Sequence, residues 1–101
     1  MSITIGKYSF EGPFTDTASL KNQSGVYVVL CQSGQSNHSK VVDVGESGDV
    51  RNRVENHDRK DCWRRNCSGT LAFAVYYCDA ASRIRIESEL RKQYNPPCGE
   101  R

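Results

Sequence analysis

The chain has 101 residues, enough for one compact domain around one hydrophobic core. Hydrophobic residues make up 37% and charged residues 26%, which excludes a disordered or fibrous chain. A formal net charge of +2 names no partner, and no apolar run approaches the roughly 20 residues a membrane helix needs.

Residues 1–20 join alternating Ile3 and Ile5 to a Gly12-Pro13 turn, which predicts a short strand and a loop. No charged leader with a long apolar stretch is present there, so no secretory signal is expected. Ser24-Gly25 opens the run Val26-Tyr27-Val28-Val29-Leu30, whose composition suits a strand covered on both faces. The polar segment from Gln32 to Ser39 predicts a long hairpin loop, and Lys40 to Val44 returns as a second strand ended by Gly45. Asp49 then caps a helix expected from Val50 to near Asp61 or Arg64.

Ser68-Gly69 breaks that pattern, and Thr70 to Tyr77 predicts a third strand. Asp79 caps a last helix over Ala80 to Tyr94, which stops at Asn95-Pro96-Pro97 because proline cannot continue it. The expected fold class is α/β in the α+β sense. A small, mostly antiparallel central sheet is flanked by helices in the order β-β-α-β-α. Residues 1–23 form an N-terminal arm or strand, and residues 24–101 form the rest of a single compact domain.

Charge is uneven along the chain. Residues 1–50 carry three Lys/Arg against five Asp/Glu, whereas residues 51–101 carry eleven against seven. Arg51, Arg53, Arg59, Lys60, Arg64 and Arg65 concentrate it, as a phosphate-tracking segment or as a solvated helix face. Lys40 adds positive charge near the sheet edge. Trp63 beside Arg64 and Arg65 reads either as a stacking residue for nucleic acid or as a core anchor.

The five cysteines are an odd number and read as reduced thiols of a cytoplasmic protein. His57, Cys62, Cys67, Cys78 and Cys98 lack the short two-residue ligand knuckle, so structural zinc is not favoured. His38 in a polar loop and Asp58 on a helix give no Cys-His-Asp nucleophile arrangement.

Helical spacing sharpens the picture. Val50, Arg53, Val54 and His57 share one stripe, which draws Arg53 and His57 toward the sheet. Glu87, Leu90 and Tyr94, with Ile86 adjoining, share another, which draws in Glu87 and turns Glu89 away. A guanidinium and a carboxylate directed at a sheet are costly unless paired or used. A rim Arg–Glu bridge is the simplest use.

Gly25-Val26-Tyr27, Asp43-Val44-Gly45, Arg53 eight positions after that glycine, His57, and Glu87 nine positions before Pro96 together resemble the GIY-YIG nuclease superfamily. The resemblance spans about residues 24–99. It implies a metal-dependent DNA endonuclease that hydrolyses phosphodiester bonds. Tyr27 would activate or position the attacking water, and Arg53 would bind the scissile phosphate. His57 would support the site by hydrogen bonding. Glu87 would hold one divalent cation, Mg²⁺ or Mn²⁺.

Asp43 stands where the family has its second tyrosine. It reads as an extra metal ligand, as a base replacing the phenol, or as a mark of a reduced site. Glu46 follows Gly45 where relatives are often basic, and Gly99 stands where an asparagine usually closes the motif. Lys40, Arg59, Lys60, Arg64 and Arg65 would contact the nucleic acid. The alternative is a catalytically inactive module of the same fold that binds nucleic acid or a protein. A homodimer or a protein partner would supply selectivity that one small domain has no room for.

Overall fold

The computed structural model describes residues 2–33 and 39–99. Five strands form one sheet: β1 (Ser2–Ile5), β2 (Tyr8–Phe14), β3 (Gly25–Gln32), β4 (Ser39–Ser47) and β5 (Thr70–Tyr77). Their spatial order is β1-β2-β5-β3-β4, and every neighbouring pair is antiparallel. Among the described residues a short 3-10 helix (Thr17–Ser19) and three α-helices complete the domain: α1 (Val50–Glu55), α2 (Lys60–Arg65) and α3 (Ala80–Tyr94). None of them is long and apolar enough to cross a membrane. The middle of the expected Gln32–Ser39 loop, residues 34–38 with His38, lies outside the described residues.

Strand β3 is buried on both faces, as its unbroken apolar run requires. One face carries Tyr27, Val29, Phe73 and Val75 against Val50, Val54 and Trp63 of α1 and α2. The other carries Val26, Val28, Leu30 and Ala74 against Ile86 and Leu90 of α3, with Ile5 and Phe10 extending that layer. The result is three layers with β4 as an open edge of the sheet.

The N-terminal arm is more regular than a strand and a loop. Ile5 and Tyr8 pair across Gly6-Lys7, so β1 and β2 form a hairpin, and β2 docks on β5. Gly6 has φ +61°, the left-handed conformation that such a tight turn demands. Residues 1–23 therefore share the sheet and core of the rest.

The expected single helix after Asp49 is two short ones, and side chains stop it. Asp49 caps the start by accepting the Asn52 amide at 3.2 Å. At the far end His57 Nδ1 accepts the Arg59 amide at 3.0 Å, and Lys60 Nζ donates to the Glu55 carbonyl. These bonds take groups that a continuous helix would have paired internally.

The reduced-thiol expectation is overturned. Cys31–Cys67 and Cys62–Cys98 are disulfides, and Cys78 is the one free thiol. Cysteines 62 and 67 lie in and just after α2, so both bridges fasten a six-residue helix that is too short to hold itself. The four bridged sulfurs are thereby also withdrawn from any zinc site.

Candidate functional site

A polar cleft of about 230 Å³ lies at the β3–β4 end of the sheet, lined by Tyr27, Gly45, Glu46, Arg53, Arg59, Glu87 and Arg91. Its walls come from both layers. Arg53 is on α1, which covers one face, and Glu87 and Arg91 are on α3, which covers the other. They meet because β4 is an edge strand, so side chains from the two faces converge around it.

Tyr27 stands directly opposite Gly45 in the β3–β4 register. A Cβ at Gly45 would run into the Tyr27 ring and hydroxyl, so glycine is what lets the phenol lie there. His57, buried beside α1, reaches the Tyr27 hydroxyl through Nε2 at 2.7 Å. Because Nδ1 accepts the Arg59 amide, the neutral ring carries its proton on Nε2 and donates it to Tyr27 Oη. The phenol keeps its own proton to offer elsewhere.

Electrostatics fixes both protonation states at neutral pH. Burial pushes Tyr27 up to about 12, against the opposing pull of Arg53, so it is a neutral phenol. Burial, with Arg53 and Arg59 nearby, lowers His57 to about 4, so it is a neutral imidazole. Between about pH 4 and 6.5 the unfolded chain binds a proton at this histidine that the folded chain refuses. The stabilising effect is complete above about 6.5 and fades as the pH falls toward 4, by roughly 3 kcal/mol. Urea midpoints measured from pH 7 to pH 4 should fall in this window, and His57→Gln should flatten that part of the fall. A wild-type curve parallel to the variant's would refute the assignment.

Asp43 is neither an open ligand nor a base. A shift in register opposite Val29 and Leu30 leaves Val42 as an extra residue in β4, and Asp43 is completely buried beside it. Its Oδ1 accepts the Val44 amide and Arg91 Nη2, both at 2.8 Å. Its Oδ2 accepts Arg59 Nε at 2.9 Å and Trp63 Nε1 at 2.8 Å. Four donors fill the four lone-pair positions of a carboxylate, which leaves nothing for a cation or a substrate proton. Asp43 is the bracket that holds two arginines and a tryptophan.

Arg91 extends that bracket. Its Nε donates to Glu87 Oε2 at 2.8 Å, and its other nitrogens reach the carbonyls of Val44 and Cys98. Gly99 has φ +114°, and a Cβ there would overlap the Arg91 guanidinium, so the glycine makes room for this arginine. Glu46 is paired with Arg83 Nε at 2.6 Å.

The remaining sequence candidates separate. Arg59, expected on a docking surface, turns into the cleft. Lys60 donates to the Glu55 carbonyl, and Arg64 pairs with Asp61 at 2.8 Å. Arg65 is exposed, and Lys40 is exposed five residues before Gly45 on β4, roughly 17 Å along the strand. Lys40, Lys60, Arg64 and Arg65 are thus not part of the cleft. Trp63 is a core anchor, with its ring centroid 4.7 Å from that of His57.

Glu89 faces away from the cleft as expected, accepting the Tyr8 hydroxyl at 2.9 Å. Tyr94 is not core but half-exposed, its hydroxyl accepting the Gly6 amide at 2.9 Å. Sequence reasoning missed Arg91 altogether, although its position four residues after Glu87 is a helical ion-pair spacing. No protein-family model matches the chain, and no curated protein matches it.

Proposed function

We propose that this chain is a GIY-YIG-type phosphodiesterase that hydrolyses DNA with the help of one divalent cation. The observation that carries the proposal is the meeting of Tyr27, Arg53 and Glu87, from β3, α1 and α3, in one polar cleft. A phosphodiester seated there gains the planar fork of Arg53, which suits two phosphate oxygens. Charge builds on those oxygens as water attacks phosphorus and the bond to the leaving oxygen breaks, so a fixed guanidinium acts most strongly in the transition state.

Tyr27 enters as a phenol. With its pKa near 12, only about one molecule in 10⁵ is phenolate at pH 7, so its resting task is to orient the water. Its hydroxyl proton is not engaged by His57, which donates instead. His57 also sits where it stabilises negative charge on Tyr27 Oη whenever that proton leaves.

The donor set fits a single cation contact. Glu87 Oε2 is bonded to Arg91, and Oε1 takes no hydrogen bond from a described residue. Among the described residues no group of three or more potential ligands exists, and Glu87 is the carboxylate this reading assigns to the cation. Mg²⁺ or Mn²⁺ accepts such a site, because Mg²⁺ in particular keeps several waters and takes substrate oxygens. When bound, the cation supplies Lewis-acid stabilisation of the phosphoryl oxygens.

Incubation with supercoiled plasmid and Mg²⁺ or Mn²⁺ tests this reading. Wild-type protein should nick the plasmid, Arg53→Ala should slow nicking by about 10²–10³-fold, and Glu87→Ala should abolish it. Equal nicking by all three would expose a contaminant, and none by the wild type would sink the proposal. The second reading, an inactive module that binds nucleic acid or a protein, draws on Arg91 occupying one Glu87 oxygen and on Asp43 being fully bonded. DNA binding without nicking is its signature. A second copy of the chain or another protein would then select the target.

A cytoplasmic location belongs to this proposal, and the disulfides set its condition. A reducing cytosol opens such bridges, so activity there would be that of the reduced, less stable cleft.

A further inference from the structure

The cleft holds three arginines, and their bonds divide them into two kinds. An arginine has five N–H groups. Arg91 directs its Nε at Glu87, Nη1 at the Cys98 carbonyl, and Nη2 at both Asp43 and the Val44 carbonyl. Four of its five donors are consumed, so Arg91 is a brace between α3, β4 and the segment after α3. Arg59 is the reverse. Among the described residues its side chain makes one hydrogen bond, from Nε to Asp43 Oδ2 at 2.9 Å. Both terminal nitrogens remain open, and the side chain is 27% exposed on the cleft wall.

That geometry is an anchored fork. The root is fixed by a fully buried carboxylate, which Arg91 and Trp63 hold in turn, and the tip is presented to the cleft. Arg53 lines the same cleft, pairs with the exposed Asp58 through Nη2 at 3.5 Å and donates to the Tyr27 hydroxyl, which leaves part of its five-donor fork free. A phosphodiester carries two non-bridging oxygens, and its transition state spreads further charge over them. Two planar forks match two such oxygens better than one.

We propose that Arg59 is a second phosphate-binding guanidinium of the cleft, acting with Arg53 on the non-bridging oxygens of the scissile group. The inference rests on the reading of the cleft as a phosphodiesterase site, and it adds a residue outside the matched motif positions. It also makes a chemical demand. Lysine has a charge but no Nε, so it can neither hold the Asp43 anchor nor present a fork.

The test compares wild type, Arg59→Ala and Arg59→Lys, each first shown to be folded by circular dichroism. Binding of a labelled DNA duplex about one helical turn long, and of inorganic phosphate, is measured in EDTA; plasmid nicking is measured with Mg²⁺. Both variants should bind at least about tenfold more weakly and nick about 10²–10³-fold more slowly. Added guanidinium ion should restore much of the alanine variant's nicking and little of the lysine variant's. Nicking and binding by Arg59→Ala within about threefold of wild type would overturn the inference while leaving the nuclease reading intact. Full activity of Arg59→Lys would also overturn it, since charge alone would then suffice. If the wild type binds phosphate but cleaves nothing, the nuclease reading fails. Arg59 then stands or falls on whether Arg59→Ala loses the phosphate.

Discussion

Replacing Asp43 with alanine is expected to destabilise the domain by about 3–5 kcal/mol, the range for removing one partner of a buried charge cluster. The carboxylate has no solvent exposure and accepts four hydrogen bonds, two of them from arginines. Its loss leaves the Trp63 indole N–H buried without its acceptor and removes the charge that compensates Arg59 and Arg91. Small domains are stable by only about 5–15 kcal/mol, so this one substitution removes a large share of the margin. Asp43→Asn keeps the volume but turns two donor hydrogens toward donors, and should fall between. Urea denaturation at pH 7 decides the matter. A loss below about 1 kcal/mol for the alanine variant would show that the cluster does not hold α2 and α3 to the edge strand.

Reduction of the two disulfides is the other large effect. Each bridge closes a sequence separation of 36 residues, which in the chain-entropy account stabilises the fold by about 3–4 kcal/mol. The loops overlap between residues 62 and 67, so the joint loss is smaller than twice that. A melting temperature lower by at least roughly 15–30 °C after complete reduction is expected, since one bridge alone accounts for about 4 kcal/mol in a domain of this size. The bridges should also differ in kind. Cys98 offers its carbonyl to Arg91 and precedes the glycine packed on that guanidinium, so opening Cys62–Cys98 should impair the cleft as well as the fold. Opening Cys31–Cys67, at the far end of β3, should affect stability alone. Paired serine variants of each bridge, melted and assayed side by side, separate the two. An unchanged melting temperature with all thiols titratable would refute the account.

Much of the architecture was legible because the relevant signals are local. The run Val26 to Leu30, the β-rich Thr70 to Tyr77, and the Asp79 cap with its terminal Asn95-Pro96-Pro97 each carry their element in adjoining residues. The first hairpin was half legible: Ile3 and Ile5 predict its first strand, but its second strand falls in the stretch that the Gly12-Pro13 turn marks as a loop. The break between α1 and α2 was not legible. It depends on a histidine side chain taking a backbone amide and on a lysine taking a helix carbonyl, competitions that periodicity does not register.

The cleft divides in the same way. Arg53 and Glu87 follow from helical stripes, and Tyr27 from its place in the first motif. Arg59 and the burial of Asp43 depend on an extra residue at Val42, and a bulge of that kind leaves no mark in composition. The cysteine pairing was hidden by an odd count, which concealed that one thiol simply stands apart.

The edge strand β4 carries a last consequence, for self-association. An exposed edge ordinarily invites another chain to extend the sheet, but here two of its acceptors are spoken for. The Cys98 amide donates to the Val42 carbonyl at 3.1 Å, and Arg91 takes the carbonyl of Val44. Strand addition is therefore directed to the opposite border, β1, which is only four residues long. Two protomers joined there would place their clefts at the outer rims of a ten-stranded sheet. At about 4.8 Å per strand that is on the order of 40 Å apart, or about a dozen base pairs of duplex. On the proposed nuclease reading, closely staggered breaks would need some other arrangement of subunits.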